Sequence, residues 1–437
     1  MKALNSLFRT KDGRSFGRTF LLVGALFLLS GVCNSMLDTL NRHFQNSFAI
    51  NKTKSALVQN AFYLGYFLMA LPAGKLARRF GYKGGLMIGL AVIMLGAFWF
   101  IPATRIGTFG AFLTGLFILA VGFTCMETIA NPYATVLGPP ESGAARINLA
   151  QSCNGVGWMI GPALASCFIF SSTSEVNKSN DTLYIPYLLL GLCAAVMLVV
   201  VAFSRVPDLH AEDERTAAAT SAAPLPPLWK RWHFTCSIVA QFCYVAAQTG
   251  IFSYFINYIA TETPPLAAGV ASRLPEHMVG LQDGVHHLTD RGAATLLSVV
   301  AFGLFLLGRI TGSMALRVCK PHRMLALYSA ANAGLMLCVV LQLGWTSVGA
   351  LFLSFFLMSI SYPTIFALGI YRLGEQTKQA SSFLVMAILG GAFMPMFMGW
   401  LADRGGMRVG FFMPLVMFGV VATYAAVWPK LEARSQA

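Results

Sequence analysis

The chain has 437 residues, of which 56% are hydrophobic and only 11% charged, against about 25% charged in an ordinary soluble domain. With a mean hydropathy of +0.65 this composition excludes a bland soluble enzyme, because the outer surface must be largely apolar as well, and lipid is the solvent that suits it. The net charge of +14 calls for no nucleic acid, since anionic lipid beside basic loops is the simpler partner.

Twelve apolar stretches follow one another, at 19 to 41, 56 to 77, 84 to 103, 109 to 137, 147 to 171, 183 to 204, 233 to 260, 292 to 316, 324 to 344, 347 to 371, 379 to 402 and 409 to 429. Each is long enough to span hydrocarbon as a helix, and a helix is required there because water is absent to satisfy backbone groups. The expected fold class is therefore an all-α membrane protein with twelve transmembrane helices. The basic segment before the first span reads as a retained cytoplasmic end rather than a signal peptide, since the apolar run lacks a small-residue cleavage pattern and eleven spans follow. An even number of spans puts both termini on one side. Most of the 31 Lys and Arg residues fall at the termini and the even-numbered junctions, so the expectation is a bacterial inner membrane protein with both ends in the cytoplasm.

Along the chain, the first span carries Asn34 and Asp38 in GVCNSMLDTL, and the fourth carries Glu127 as its only charge, four residues before Asn131, in VGFTCMETIANP. A charged side chain at a helix centre costs about 2.5 to 3.5 kcal/mol on insertion scales, so it is normally placed against a cavity or a partner. Asp38 and Glu127 are thus candidate proton-coupling groups. Gln151 and Asn154 in the fifth span, and Gln241, Tyr244 and Gln248 in the seventh, repeat at helical spacing and can share a face. Amides and a phenol offer the mixed donors and acceptors that replace the hydration of a neutral polyol. Tyr362 precedes Pro363 in SISYPTIFALG, where the proline can interrupt the tenth helix and expose nearby carbonyls. Arg309, in FLLGRITGS, lies deeper than a loop charge and can snorkel to the inner face or pair with a helix end.

Between the sixth and seventh spans, Arg205 to Trp232 is acidic, small-residue-rich and broken by Pro224, Pro226 and Pro227. It reads as a flexible linker dividing the chain into an N-terminal bundle, 1–204, a linker, 205–232, and a C-terminal bundle, 233–437. The outer connection from Thr261 to Arg291 holds His277, His286 and His287 and reads as a polar surface loop rather than a metal site. Nine scattered cysteines read as packing residues. The glycines of GVGWMIGP at 155 to 162 allow close helix packing, and no glycine run sits in the strand-and-turn context of a nucleotide-binding loop. No cofactor or metal is expected.

The turn GKLARRFGYKGG at 74 to 85 resembles the signature loop of the major facilitator superfamily, with Ala77 where the usual form has an aspartate. Joined together, NSMLD (34–38), QNAFYLGYF (59–67), CMETIANPY (125–133), RINLAQSCNGVG (146–157), VAQFCYVAAQTG (239–250) and SYPTIFALGI (361–370) resemble the bacterial L-fucose:proton symporter family, which includes glucose and galactose transporters. The resemblance implies two six-helix bundles with pseudo-two-fold symmetry around a central sugar cavity, and monosaccharide import driven by protons. It implies that Asp38 takes part in protonation, that Glu127 links sugar recognition to proton transfer, and that Gln151 and Asn154 contact the sugar. Asn34, Asn131, Gln241, Tyr244, Gln248 and Tyr362 complete the expected substrate site, in a chain acting as a monomer. The sequence leaves open which hexose is carried, and keeps three alternatives: sodium coupling, drug export by proton exchange, and a non-transporting membrane sensor.

Overall fold

A computed structural model describes residues 16–48, 57–139, 142–169, 184–204, 227–275, 278–282 and 284–436; the side chain of Asp38, His277 and most of the linker lie outside the described residues. The helices follow the hydropathy pattern closely. They are α1 (Gly17–Ser47), the stretch Leu57–Ile106 that divides into α2 (57–80) and α3 (82–106), α4 (Phe109–Val136), α5 (Gly143–Ile169) and α6 (Tyr184–Phe203). In the second half come α7 (Trp232–Glu262), α8 (Asp290–Leu296, continued through a π turn at Leu297–Ala301 and on to Phe302–Ala315) and α9 (Pro321–Val340). The last three are α10 (Trp345–Met358 and Ser361–Gly369), α11 (Thr377–Met386, a tight turn at Ala387–Leu389, then Gly390–Gly405) and α12 (Met407–Gln436). Among the described residues ten of these are apolar and long enough to cross a membrane. The two outside that set, α2 and α5, carry amides: Gln59 and Asn60 on one, Asn148, Gln151 and Asn154 on the other.

The break between α2 and α3 falls at Gly81, whose φ of 69° and ψ of −177° lie in a region open to glycine and strained for side chains bearing a Cβ. That single residue turns the chain back, so the basic loop is shorter than its composition suggests. At the next junction on the same end, the fully buried Arg146 at the start of α5 donates to the carbonyls of Ala134, Thr135, Gly138 and Pro139. A guanidinium at that place satisfies the orphan carbonyls of the α4 C-terminus and complements its dipole.

Packing repeats between the halves: α1 lies on α5 as α7 lies on α11, and α3 on α4 as α9 on α10. One hydrophobic core is built mainly on the first six helices and a second on the last six. Glycines set the closest approaches. A Cβ on Gly157 would come within 2.5 Å of the Leu28 carbonyl oxygen, and one on Gly122 within 2.6 Å of the Ile93 nitrogen, so these backbones touch directly, as the small residues of the fifth span allow.

The halves meet through α5 against α8 and α10, and through α2 and α4 against α11. Near the Gly81 turn, Gly74 of α2 abuts Ser382 and the Lys378 carbonyl of α11, and Lys378 Nζ sits 5.0 Å from the centre of the Tyr82 ring. Ala77 is buried there. We call this the linker end, because it also holds Arg231, whose guanidinium donates to the Ser435 carbonyl at the end of α12.

Within the expected surface loop at 261–291 the structure adds regular structure that the sequence reading did not foresee. Strands β1 (Val279–Gln282) and β2 (Val285–Leu288) form an antiparallel hairpin in which Gln282 faces Val285, and Leu266 adds a bridge to His286. The reason is the two-residue connection at 283–284, with Gly284 at φ 77°, in the Asp-Gly combination that favours a tight hairpin turn. His286 and His287 are neighbours on one strand, so their side chains alternate across its faces.

Gly157→Leu should push α1 from α5 and lower stability by about 1 to 3 kcal/mol or more, as overpacking does. Gly334→Ala, in the interior of α9 where nothing lies within 4 Å, should keep or raise stability, by up to about 1 kcal/mol from helix propensity. Thermal unfolding of the two purified variants in one detergent compares them.

Candidate functional site

At the centre of the molecule a polar cluster spans the seam between the halves. Its acid is Glu127, deep in α4 and 7% exposed. Ser30 of α1 donates its hydroxyl to Glu127 Oε1, Asn34 Nδ2 donates in turn to Ser30 Oγ at 3.3 Å, and Tyr66 of α2 hydrogen-bonds the same carboxyl. The acid is therefore held by neutral hydroxyls from two neighbouring helices rather than by a cation.

One helical turn along α4 stands Asn131, fully buried. Its Oδ1 accepts from Gln151 Nε2 of α5 at 3.0 Å. Gln151 is then gripped from the other half: Arg309 Nη1 of α8 donates to the Gln151 carbonyl at 2.5 Å and approaches Gln151 Oε1 at 3.4 Å. The same guanidinium donates through Nε to the Ser359 carbonyl at 3.1 Å and lies 4.5 Å from the centre of the Phe305 ring, a favourable cation–π placement.

The local sequence explains why Arg309 does not snorkel. Pro363 has no N–H for the carbonyl four residues before it, which is Ser359 O, so helix α10 breaks at 359–360. The freed Ser359 oxygen takes Arg309, and the adjacent Met358 oxygen takes the Tyr244 hydroxyl at 2.7 Å. The expected exposure of carbonyls near Tyr362 is thus realised, and it supplies the anchor that lets a guanidinium stay 5% exposed at this depth. An unpaired charge in such surroundings would be prohibitive, whereas one with several acceptors is tolerated.

The expected residues do not all play one part in the geometry. Asn34, Glu127, Asn131, Gln151 and Tyr362 converge, with Tyr362 aimed at the Asn131 side chain and within electrostatic reach of Glu127. Asn154 donates to the Phe27 carbonyl at 3.3 Å, fastening α5 to α1. Tyr244 is engaged with α10, as above. Gln241 is fully buried, Gln248 half-buried two turns further along α7. Asp38 falls on α1 eight residues beyond Ser30, with its side chain outside the described residues. Sequence reasoning missed Ser30, Tyr66 and Phe305; Ser30 precedes Asn34 by four residues and Phe305 precedes Arg309 by four, a helix-face spacing that could have found both.

Two buried polar atoms of the cluster, Asn131 Nδ2 and Tyr362 Oη, have no hydrogen-bond partner, nor does either side-chain polar atom of Gln241 on α7. Each such atom costs about 1 to 3 kcal/mol if left unpaired. At the seam, Asn131 Nδ2 and Tyr362 Oη leave a donor and a hydroxyl open to a partner with hydrogen-bonding groups of its own. Among the described residues Glu127 and Arg309 form no ion pair with each other; Asn131 and Gln151 stand between them.

Comparison with known proteins agrees with this architecture. The family model of the Major Facilitator Superfamily matches residues 21–388. The chain is 35% identical over 433 residues to the L-fucose-proton symporter of Escherichia coli (strain K12), covering 95% of this chain and 94% of that one. It is 32% identical over 423 residues to the glucose/galactose transporter of Brucella abortus biovar 1 (strain 9-941), covering 96% of each. The crystal structure of FucP, a Major Facilitator Superfamily transporter in the outward conformation, superposes with a TM-score of 0.77 at 33% identity, covering 95% of this chain and 99% of that chain. From the helix order, the paired bundles and these likenesses together, the chain belongs to the major facilitator superfamily, within the group that holds the L-fucose-proton symporter and the glucose/galactose transporter.

Proposed function

We propose that this chain is a proton-coupled symporter that imports a monosaccharide, a hexose or 6-deoxyhexose, across the bacterial inner membrane by alternating access. The observation that carries the reading is the buried carboxyl of Glu127, held by Ser30 and Tyr66 hydroxyls and set one turn from amides whose bonding capacity is unfilled. Sugar hydroxyls donate and accept at once, which matches Asn131, Gln151, Gln241 and Tyr362. A drug-export site would be expected to favour apolar or cationic surfaces over amides.

The two bundles, 1–204 and 233–437 joined by the linker 205–232, rock about this centre. The linker end faces the cytoplasm, in keeping with the Lys and Arg distribution. Packing of Gly74 on Ser382 and the Lys378 carbonyl, and of Lys378 over Tyr82, at the linker end supports a conformer closed toward the cytoplasm. In it, Asp38, nearer the outer end of α1, exchanges protons with the periplasm. Sugar then bonds the amides and the Glu127 carboxyl, and protonation removes the charge that would oppose enclosure in low dielectric. Opening of the linker end releases sugar and proton inward. Arg309, joined to Gln151 across the seam, makes the sugar-contacting amide a reporter of whether the halves are closed. The chain works as a monomer in this scheme, since every group named lies within it, and lipid is its only other partner.

In proteoliposomes with an imposed pH gradient, Glu127→Gln and Asp38→Asn should lose at least about tenfold of proton-driven accumulation, in the range typical of a removed acid–base group, while Glu127→Gln retains sugar exchange between the two faces. Accumulation equal to the parent in both variants would reject the assigned roles. An imposed sodium gradient should drive no uptake.

Arg309→Lys keeps the charge and loses the planar fork that serves Ser359 and Gln151 together. Removing a hydrogen bond to a charged group is worth about 1.5 to 3 kcal/mol, so sugar affinity measured by equilibrium binding should fall about tenfold or more.

A further inference from the structure

Gln151 is the innermost rung of a ladder on α5. Three residues nearer the linker end, Asn148 donates through Nδ2 to Thr364 Oγ1 of α10 at 3.1 Å. Three residues beyond that, the Ala145 carbonyl accepts from Ser313 Oγ of α8 at 2.9 Å. Residues 145, 148 and 151 repeat at a spacing that keeps them on one helix face, and each rung ties the first half to the second. The middle rung differs from its neighbours because it joins two neutral side chains, both fully buried. It also leaves polar capacity unused: Asn148 Oδ1 has no partner, nor does Ser361 Oγ, which precedes Thr364 by three residues on the same face of α10.

A buried amide satisfied on one side only is poorly explained as packing, since Leu would fill that volume without an orphaned oxygen. It is well explained if the group is paired differently at another stage of the cycle. The rung lies between the central amides and the linker end, so anything leaving the centre toward that end along the seam of α5 and α10 must part Asn148 from Thr364. Parting frees the Thr364 hydroxyl and one Asn148 Nδ2 hydrogen, the other being donated to the Ala144 carbonyl at 2.8 Å, beside the Asn148 Oδ1 and Ser361 hydroxyl that have no partner even in the closed state.

We propose that Asn148 and Thr364 form the inner gate of the sugar path, a hydrogen bond made when the linker end is closed and broken when it opens, and that Asn148 and Ser361 then bond the hydroxyls of the departing sugar. This rests on the symporter reading above. Asn148 is a positioning residue in the closed state and a sugar contact during release. The proposal assigns the central cluster to recognition and this pair to exit, so substitutions in the pair act on conformation and release and spare affinity from the outer face.

The test uses the full-length protein in lipid nanodiscs and proteoliposomes, with tritiated L-fucose, D-glucose and D-galactose as probes. Thr364→Val keeps the side-chain shape and removes the hydroxyl. It should raise amide hydrogen exchange in segments 143–150 and 361–369 about fivefold, the size expected for one net hydrogen bond, with equilibrium sugar affinity within twofold of the parent. Thr364→Ser, which keeps the hydroxyl, should restore parental exchange. Asn148→Leu should show the same rise in hydrogen exchange and, having lost the release contact, a sugar counterflow rate reduced about tenfold. Parental hydrogen exchange in Thr364→Val with sugar binding intact overturns the gate, and parental counterflow in Asn148→Leu overturns the release contact. If the parent binds none of the three sugars, the symporter reading fails instead, while the hydrogen-exchange comparison still decides whether the pair is a gate.

Discussion

Two ionisable side chains sit in an apolar interior without forming an ion pair, and most of the central architecture follows from how each is satisfied. Glu127 takes hydroxyl donors from α1 and α2; Arg309 takes carbonyl acceptors from α10 and α5. A direct pair would have locked the halves together with both valences filled. Neutral intermediaries leave the acid free to change protonation and leave the amides between the two charges able to exchange partners. Such a buried network is demanding, because every member left unpaired is expensive, and the unfilled atoms at Asn131, Gln241 and Tyr362 are the ones that the proposed sugar would pair.

The helix breaks serve the same centre. Pro363 releases the carbonyl that anchors Arg309, and the break at 359–360 orients the Tyr362–Thr364 turn toward α4 and α5. Glycine crossings bring α1 onto α5 and α3 onto α4 at backbone contact, and in the second half Gly308 brings α8 onto α10 and Gly390 brings α11 onto α7, so each half is closely packed within itself. Contacts between the halves are made largely of side chains: hydrogen bonds, a lysine over Tyr82, Trp158 against Phe252 and Phe302, and glycine crossings at Gly74, Gly155 and Gly391 that meet mostly side-chain atoms. Rigid bodies with a replaceable seam are what alternating access demands.

Much of this was legible in the chain. The twelve apolar stretches match the helices to within a few residues at most ends, and the isolated acid in the fourth span lies buried in the polar cluster at the seam. The amides at 131 and 151 were found from spacing alone. Tyr244 and Asn154 were singled out by the same spacing but spend their bonds on backbone carbonyls, because a polar residue on a helix face can equally fasten that helix to its neighbour. The hairpin at 279–288 was passed over because its Asp-Gly turn lies among residues too polar to stand out as strand.

Composition and its distribution along the chain determined the solvent, the helical class and the number of crossings, all of which depend on local hydropathy. Tertiary structure decided which groups share a site. Ser30 lies 97 residues from Glu127, Arg309 158 from Gln151, and Thr364 216 from Asn148. Periodicity tells which residues lie on one side of a helix; it holds no record of which other helix that side will face. That choice is made by backbone contacts at glycine and by the need to satisfy every buried polar group, and both exist only once the helices are assembled.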